Sequence, residues 1–143
     1  MKLYNSLLSI EDCNSVTNRL ESNYTWRLFP EAWKTYYRID TEEIAFPELT
    51  RLYVHIFKNK PLWSDKLCFN KMIQGNYIPK HNDRLRYGFL ILLKQTGHGG
   101  EFFVNDTQVN LKVGDGLVFQ AWNQHYTNPQ LNGERITFIV WFN

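Results

Sequence analysis

The sequence predicts a mainly β domain with N-terminal helices, an α+β fold whose core is a double-sheet jelly roll or a barrel. Eight short apolar segments follow one another from residue 67 onward, separated by turns rich in Gly, Asn and Asp. A length of 143 residues and a hydrophobic content of 43% fit one domain with a substantial core. We therefore expect a single domain over 1–143, with an N-terminal support over 1–66 and a jelly-roll core over 67–143.

The N-terminal support is predicted to contain two helices and an extended aromatic stretch. Ser9 has the form of a helix N-cap, because an acidic residue follows it three positions later, and apolar residues recur at helical spacing over 9–22. A second helix is expected to begin at Pro47 and to end near Phe57. Between the helices, the aromatic and β-branched residues over 25–39 suit one or two extended segments.

The core is predicted to consist of strands joined by tight turns. The eight expected strands cover 67–74, 77–81, 87–94, 100–104, 107–111, 116–120, 125–128 and 135–142. The segments 87–94 and 135–142 are nearly continuous apolar runs, which is typical of strands buried on both faces. Both are therefore expected in the middle of a sheet.

Composition excludes several classes of protein. An aromatic content of 16% excludes a disordered chain, and no apolar run reaches the length of roughly 18–20 residues that a membrane span needs. Acidic residues follow the start of the chain too closely for a signal peptide. A net charge of +2 argues against a nucleic-acid partner. We expect a cytoplasmic protein whose two cysteines, Cys13 and Cys68, are buried thiols.

Three residues form a candidate metal site. His81 and Asp83 stand two positions apart, so on a strand both side chains point to the same side. His125, from a distant strand, could supply the third ligand. Two histidines and one carboxylate on one face suit non-haem Fe(II), because three coordination positions stay open. Cysteine is missing from the set, which argues against structural zinc.

Arg135 opens the last apolar strand, ten residues after His125. A guanidinium in such a strand is costly to bury unless it meets an anion. Its planar fork suits a bidentate contact with a carboxylate. One interpretation is a ligand carboxylate, and the other is a salt bridge with an internal acid such as Glu101 or Asp115.

Together these residues resemble the Fe(II)/2-oxoglutarate-dependent dioxygenases, and within them the prolyl 4-hydroxylase-like branch. The resemblance covers roughly residues 67–143. It is carried by His81-Asn82-Asp83, the strand YGFLILLK, Gly99-Gly100-Glu101, the segment from Gly114 to Phe119, His125, Gly133-Glu134-Arg135 and Trp141. Each motif is common by itself, but their order and spacing agree with the family pattern.

The resemblance implies a double-stranded β-helix, the jelly-roll fold of this family and of cupins. His81, Asp83 and His125 would hold Fe(II) and form the catalytic centre, where 2-oxoglutarate and O2 also bind. Arg135 would pair with the distal carboxylate of 2-oxoglutarate, and the Thr137 hydroxyl could join it. The implied reaction hydroxylates a C–H bond, in a prolyl or other amino-acid side chain of a peptide or protein, and releases succinate and CO2. Ascorbate could support turnover.

The family pattern also predicts where this chain differs. Tyrosines that often contact 2-oxoglutarate in the family are expected to be replaced here by Met72 and by the pair Leu92 and Leu93. The co-substrate pocket should therefore be more apolar, with Arg135 carrying more of the recognition.

Four residues are candidate substrate contacts, namely Tyr77, Arg84, Arg86 and Trp122. The arginines could select an acidic substrate, although exposed arginines after a turn also serve solubility alone, and Trp122 could equally be a core residue. The expected partner is a peptide, protein or small-molecule substrate, and the chain could be a monomer or a homodimer.

Two other functions remain open. One is a cupin-like metal-binding jelly roll that does not use 2-oxoglutarate, although a cupin would usually supply more histidines close together. The other is a non-catalytic β-sandwich binding module in which His81 and Asp83 merely pair with each other. That module predicts no metal-dependent change in melting temperature.

Overall fold

The computed structural model describes residues 1–30, 34–42, 46–57 and 66–142. Two helices are found in these ranges, α1 (Ile10–Asn23) and α2 (Pro47–Phe57). The Ser9 side chain accepts a hydrogen bond from the backbone N–H of Asp12, which caps α1 as the sequence predicts. Both predicted helices are confirmed to within one residue.

The same ranges contain ten strands. They are β1 (Lys2–Tyr4), β2 (Arg27–Phe29), β3 (Tyr36–Glu42), β4 (Lys66–Met72), β5 (Tyr87–Gln95), β6 (Phe102–Val104), β7 (Thr107–Val109), β8 (Gly116–Gln120), β9 (His125–Thr127) and β10 (Arg135–Phe142). A seven-stranded sheet has the order β1-β8-β5-β10-β4-β3-β2, and a three-stranded sheet has the order β7-β6-β9. All pairs are antiparallel, which confirms the predicted mainly β jelly roll with N-terminal helices.

The two apolar runs lie side by side in the middle of the large sheet. Strand β10 is hydrogen bonded to β5 along its whole length and to β4 on its other side. The N-terminal region supplies the strands at both edges, because β1 pairs with β8 while β3 and β2 continue the sheet beyond β4. None of the described helices is long and apolar enough to cross a membrane.

Alternate residues of the central strands face two different layers. The layer beneath the helices contains Cys13, Val16, Leu20, Phe46, Leu49, Phe69, Phe89, Ile91, Leu93, Ile136, Phe138 and Val140. The layer between the sheets contains Cys68, Leu90, Phe102, Val104, Leu117, Phe119 and Ile139. Because side chains alternate along a strand, Arg135 and Thr137 share the side of Ile139, away from the helices.

The prediction of a regular strand over 77–81 is wrong. Only His81 forms a bridge there, with His125 of β9. Pro79 has no N–H to donate to a ladder, and the N–H of Ile78 donates to the side-chain oxygen of Thr127 instead of to a carbonyl. The segment still runs alongside β9, which is what the site requires.

Candidate metal centre and adjoining cavities

The three predicted ligands come together at one end of β9. His81 and His125 exchange backbone hydrogen bonds of 3.1 and 2.9 Å, which places their imidazole rings 4.3 Å apart, centroid to centroid. Asp83 follows His81 by two residues, and its backbone N–H donates to the carbonyl oxygen of Ala121 at 2.8 Å. The ligand atoms of the His81–Asp83–His125 triad all lie within 4.8 Å of one another.

Backbone carbonyls determine which nitrogen of each imidazole is free. Nδ1 of His81 lies 2.6 Å from the carbonyl oxygen of Pro79, and Nδ1 of His125 lies 2.8 Å from that of Asn123. A carbonyl only accepts hydrogen bonds, so both Nδ1 atoms are assigned the proton and both Nε2 atoms keep a lone pair. Neutral histidines held in this way are typical metal ligands.

The free nitrogens face an acceptor. Nε2 of His125 lies 3.1 Å from Oδ2 of Asp83, and Nε2 of His81 lies 3.7 Å from Oδ1. An ionised carboxylate and an unprotonated imidazole nitrogen both only accept, so a proton or a metal ion must lie between them. The donor set therefore fits a divalent metal such as Fe(II).

Electrostatics favour the ligand forms of two triad members. Burial opposes ionisation of Asp83, but the close approach of His125 and a hydrogen bond from the Trp141 indole outweigh it, so its pKa lies below the usual value. Burial lowers the pKa of His81, and its hydrogen bond with the Pro79 carbonyl opposes that shift only in part. At neutral pH an ionised Asp83 thus faces a neutral His81, which are the protonation states that metal binding requires.

The triad opens into a cavity of about 530 Å³. Its described lining is mostly apolar and comprises Phe29, Pro30, Tyr36, Arg38, Asn70, Ile78, Pro79, His81, Asp83, Arg84, Leu85, Leu90, Phe102, His125, Ile139 and Trp141. This size and this apolar lining are typical of small-molecule sites, for which volumes of roughly 300–1,000 Å³ are usual.

Arg135 is buried without an acidic partner. Its side chain is 6% exposed, and one terminal nitrogen donates to the Gln95 side chain at 2.9 Å. In the described part of the chain Arg135 makes no ion pair. The charge of Glu101 acts on Arg135 without forming an ion pair, while Asp115 accepts the backbone N–H groups of Ser6 and Lys112 instead.

The guanidinium therefore carries an uncompensated charge inside the protein. Burial lowers the pKa of Arg135 to about 10, against a weaker opposing effect of the Glu101 charge. The group is still protonated at neutral pH. A buried cation without a counterion is expensive to keep, and an anionic ligand is the remaining way to compensate it.

A second, much smaller cavity lies beside Arg135 and adjoins the large cavity that contains the metal triad. Arg135, Thr137, Met72 and Thr127 line it, and it shares Asn70, Ile78, Leu90 and Phe102 with the large cavity. A metal triad and a buried guanidinium are the two kinds of group that bind the two ends of a dicarboxylate. The chemistry of the residues present therefore fits 2-oxoglutarate.

Met72 and the pair Leu92 and Leu93 were expected in this pocket, at the positions of family tyrosines. Met72 lines it as expected, and its sulfur accepts a hydrogen bond from the Thr127 hydroxyl at 3.3 Å. Leu93 does not face the pocket, because it packs beneath the helices. Leu92 stands opposite Thr137 and alternates in phase with Leu90, but it is not among the described lining residues, so its expected role stays a prediction.

The predicted substrate contacts are placed differently from one another. Arg84 is exposed and lines the large cavity. Tyr77, Arg86 and Trp122 are also exposed but are not among its described lining residues, and Arg86 lies over the Tyr87 ring at 5.1 Å. A substrate role for these four residues stays a prediction.

Sequence reasoning missed three polar lining residues, Tyr36, Arg38 and Asn70. All three are on β3 and β4, at alternating positions that face the sheet interior. The available signal was the position of Tyr36 and Arg38, which are two residues apart and therefore on one side of β3. Polar residues spaced in this way usually indicate the solvent-facing side of a strand, so the signal did not point to a cavity.

Neither a family model nor a curated protein sequence matches this chain. Solved structures do match it. A viral collagen prolyl hydroxylase from Paramecium bursaria Chlorella virus-1, in complex with 2-oxoglutarate, is 16% identical with a TM-score of 0.72, covering 98% of this chain and 93% of that one. A Pseudomonas putida prolyl-4-hydroxylase is 13% identical with a TM-score of 0.75, covering 99% and 91%.

HygX from Streptomyces hygroscopicus, solved with nickel and 2-oxoglutarate bound, is 12% identical with a TM-score of 0.71, covering 99% of this chain and 82% of that one. These likenesses extend over nearly the whole of this chain. The protein therefore has the double-stranded β-helix fold that 2-oxoglutarate- and iron-dependent oxygenases use.

Proposed function

We propose that this protein is an Fe(II)- and 2-oxoglutarate-dependent oxygenase. The observation that carries the proposal is the buried Arg135 guanidinium, which makes no ion pair among the described residues and lies in a small cavity that shares lining residues with the cavity of the His81–Asp83–His125 triad. A ligand carboxylate would supply the direct counterion that this guanidinium lacks among the described residues. The fold, and the 2-oxoglutarate bound in two of the similar solved structures, support the same proposal.

Each part of the site has a task in this function. His81, Asp83 and His125 would hold Fe(II) on one face, and Arg135 with Thr137 would bind the distal carboxylate of 2-oxoglutarate. When bound, iron and 2-oxoglutarate together activate O2, and the co-substrate leaves as succinate and CO2. The apolar walls of the cavity keep bulk water away from the reacting atoms.

The proposed reaction is hydroxylation of a C–H bond in a prolyl or other amino-acid side chain, within a peptide or protein. Two of the similar solved structures are prolyl hydroxylases. The cavity walls contain proline and aromatic side chains, which suit an apolar ring or chain. Similarity of fold does not fix a substrate, so the substrate is tested separately.

The first experiment measures metal and co-substrate binding in two variants. His125→Ala should abolish Mn(II) binding, whereas Arg135→Gln should keep it and lose at least about tenfold in 2-oxoglutarate affinity, because a charged hydrogen bond is removed. Calorimetric titration measures both affinities. Mn(II) binding without 2-oxoglutarate binding in the unaltered protein would instead indicate the cupin-like alternative, and no metal binding would indicate a non-catalytic module.

The second experiment measures turnover. Succinate formation from 2-oxoglutarate under air, with Fe(II) and ascorbate, should occur in the unaltered protein and disappear in His125→Ala. Proline-containing peptides, free amino acids and nucleic acids are then screened for a mass gain of one oxygen atom. A gain confined to nucleic acids would contradict the proposed substrate class.

A further inference from the structure

The large cavity has a region that the co-substrate does not need. Asn70, Ile78, Leu90 and Phe102 also line the small cavity of Arg135. The rest of the described lining, apart from the triad, does not border the cavity of Arg135 and consists of Phe29, Pro30, Tyr36, Arg38, Pro79, Arg84, Leu85, Ile139 and Trp141. We call this second group the distal wall. It is where a substrate would lie if the proposed function holds.

Arg38 of β3 is the most constrained cation of the distal wall. Nε and one terminal nitrogen of its guanidinium lie 3.2 and 3.1 Å from Oδ1 of Asp40. The guanidinium also lies over two aromatic rings, 4.5 Å from the centroid of Phe29 and 5.9 Å from that of Trp141. These contacts fix its plane, and the side chain keeps an exposure of 19%. It is therefore an oriented group that a ligand can reach.

Asp40 does not neutralise this cation. Its other oxygen, Oδ2, lies 3.0 Å from the guanidinium of Arg27, which is 66% exposed and outside the cavity lining. Two guanidinium groups thus share one carboxylate, which leaves one positive charge. Asp83 is the one carboxylate among the described lining residues, and it belongs to the metal triad.

The hydroxyl of Tyr36 adds a neutral donor beside Arg38. Tyr36 is buried and lines the cavity two residues before Arg38, on the same face of β3. Burial raises the pKa of the Tyr36 hydroxyl well above its usual value, and the positive charge of Arg38, together with a hydrogen bond to it, opposes that shift only in part. The hydroxyl accordingly stays protonated and can donate to an anion.

We propose that Arg38 and Tyr36 form a carboxylate subsite for the substrate, which rests on the proposed oxygenase function. An oriented guanidinium and a hydroxyl match the two oxygens of a carboxylate. The aromatic and proline residues around them suit an apolar body. The substrate class is accordingly an apolar amino acid with a free carboxylate, either as an N-acylated single residue or as the last residue of a peptide.

The test compares acids with their amides. The protein is loaded with Mn(II), which holds the site without turnover, and with 2-oxoglutarate. N-acetylated apolar amino acids and short peptides ending in them, including proline, are titrated calorimetrically as free acids and as carboxamides. Free acids should bind at least about tenfold more tightly, since a hydrogen bond between charged groups is lost in the amide. Comparison of single residues with peptides identifies the source of the carboxylate.

Arg27 offers a matched control. Arg38→Gln should remove the preference for the acid, whereas Arg27→Gln, which removes an equal charge from the same Asp40 outside the cavity, should keep it. Tyr36→Phe should reduce the preference by a smaller factor. Arg38→Lys keeps the positive charge but lacks the planar guanidinium, so it should keep part of the preference for the acid. This variant replaces Arg38→Gln in the test if Arg38→Gln does not fold.

Three results would overturn the subsite. They are equal affinity for acid and amide, an acid preference that survives Arg38→Gln, and no binding of any free acid at millimolar concentration. Failure of the proposed function is recognised separately, because 2-oxoglutarate would then not bind the Mn(II) protein even if the acid preference is present.

Discussion

Trp141 supports the metal site through one hydrogen bond. Its indole N–H donates to Oδ2 of Asp83 at 2.9 Å, the same oxygen that faces His125. Trp141→Phe keeps most of the ring and removes the donor. Because partners of metal-binding side chains typically contribute about 10–100-fold to affinity, we expect a loss of that order in Mn(II) affinity, measured by calorimetry or electron paramagnetic resonance.

Trp26→Phe is the matched control for this substitution. The indole N–H of Trp26 is buried and has no hydrogen-bond partner among the described residues, so removing it deletes no contact to the metal site. Mn(II) affinity should stay unchanged in Trp26→Phe. Equal losses in the two variants would show that the Trp141 effect comes from altered packing and not from the bond to Asp83.

At the residue scale, the sequence identified groups whose chemistry conflicts with their surroundings. Arg135 was found because a guanidinium is anomalous in an apolar strand, and His81 with Asp83 because of their spacing. Tyr36, Arg38 and Asn70 were not found. Each is part of a strand in which apolar and polar residues alternate, so a polar residue at its position is ordinary. Only the three-dimensional structure shows that this side of the strand lines a cavity.

At the element scale, Gly88 controls how β5 packs against β8. A Cβ atom at Gly88 would lie 2.7 Å from the Phe119 ring, whose centroid is 4.9 Å from that of the His125 ring. Gly88→Ala should therefore displace Phe119 toward a metal ligand. We expect the free energy of unfolding to fall by about 1–3 kcal/mol, with weaker Mn(II) binding, as measured by urea denaturation and calorimetry.

A second substitution checks that cause. Phe119→Leu in the Gly88→Ala background shortens the side chain that is in the way, and it should recover part of both losses. If Gly88→Ala alone leaves stability and Mn(II) affinity unchanged, the contact with Phe119 is not tight in solution and the packing argument fails.

Glu134 fastens the start of β10 to both neighbouring strands. It pairs with Lys94 of β5 and, at 3.4 Å, with Lys71 of β4. Burial opposes its ionisation, but the two lysines outweigh that effect and hold the pKa of Glu134 below its usual 4.5. A carboxyl with a depressed folded-state pKa stabilises the protein above its unfolded value, and this stabilisation is lost as the pH falls through the folded value.

Glu134→Gln should accordingly lower the free energy of unfolding at pH 7 by about 0.5–1 kcal/mol, a small value because Lys94 is partly solvated. The difference from the unaltered protein should shrink as the pH falls below 4.5. Urea denaturation at several pH values measures it. Asp106→Asn, at an exposed turn, should have a smaller effect, and a pH-independent difference would contradict the ion-pair explanation.

Most elements could be predicted from periodicity, but their partners could not. The helices and the long strands β5 and β10 follow from apolar patterns over many residues. β1 was not predicted, since Lys2–Tyr4 is only three residues long and its strand conformation depends on the edge of β8. The segment around Pro79 was predicted as a strand because composition alone does not show where its hydrogen bonds go.

At the scale of the whole molecule, the two faces of the large sheet have different tasks. One face packs against α1 and α2 in a mainly apolar layer, and the other carries the charged residues that line the two cavities. Successive side chains of β10 alternate between these two faces, so Phe138 lies on the helix side and Arg135 on the site side. Both faces therefore bury apolar side chains, but only the site face also holds a buried charge that opposes folding.

This division predicts how ligands change overall stability. Replacing Arg135 with Met removes an uncompensated buried cation, so the ligand-free protein should become more stable, by about 1–4 kcal/mol if it behaves like other buried charges. In the unaltered protein each ligand at about 100 times its Kd should add about 2.7 kcal/mol. 2-Oxoglutarate should add its share only after the metal, because in the proposed function the metal and Arg135 bind its two ends.

Thermal denaturation of four states measures this linkage: ligand-free, with Mn(II), with 2-oxoglutarate, and with both. Arg135→Met should raise the melting temperature of the ligand-free state, keep the increase caused by Mn(II), and lose the further increase caused by 2-oxoglutarate. A lower melting temperature for ligand-free Arg135→Met would mean that Gln95 and the surrounding dipoles already compensate the guanidinium. The unpaired charge would then no longer argue for a dicarboxylate ligand.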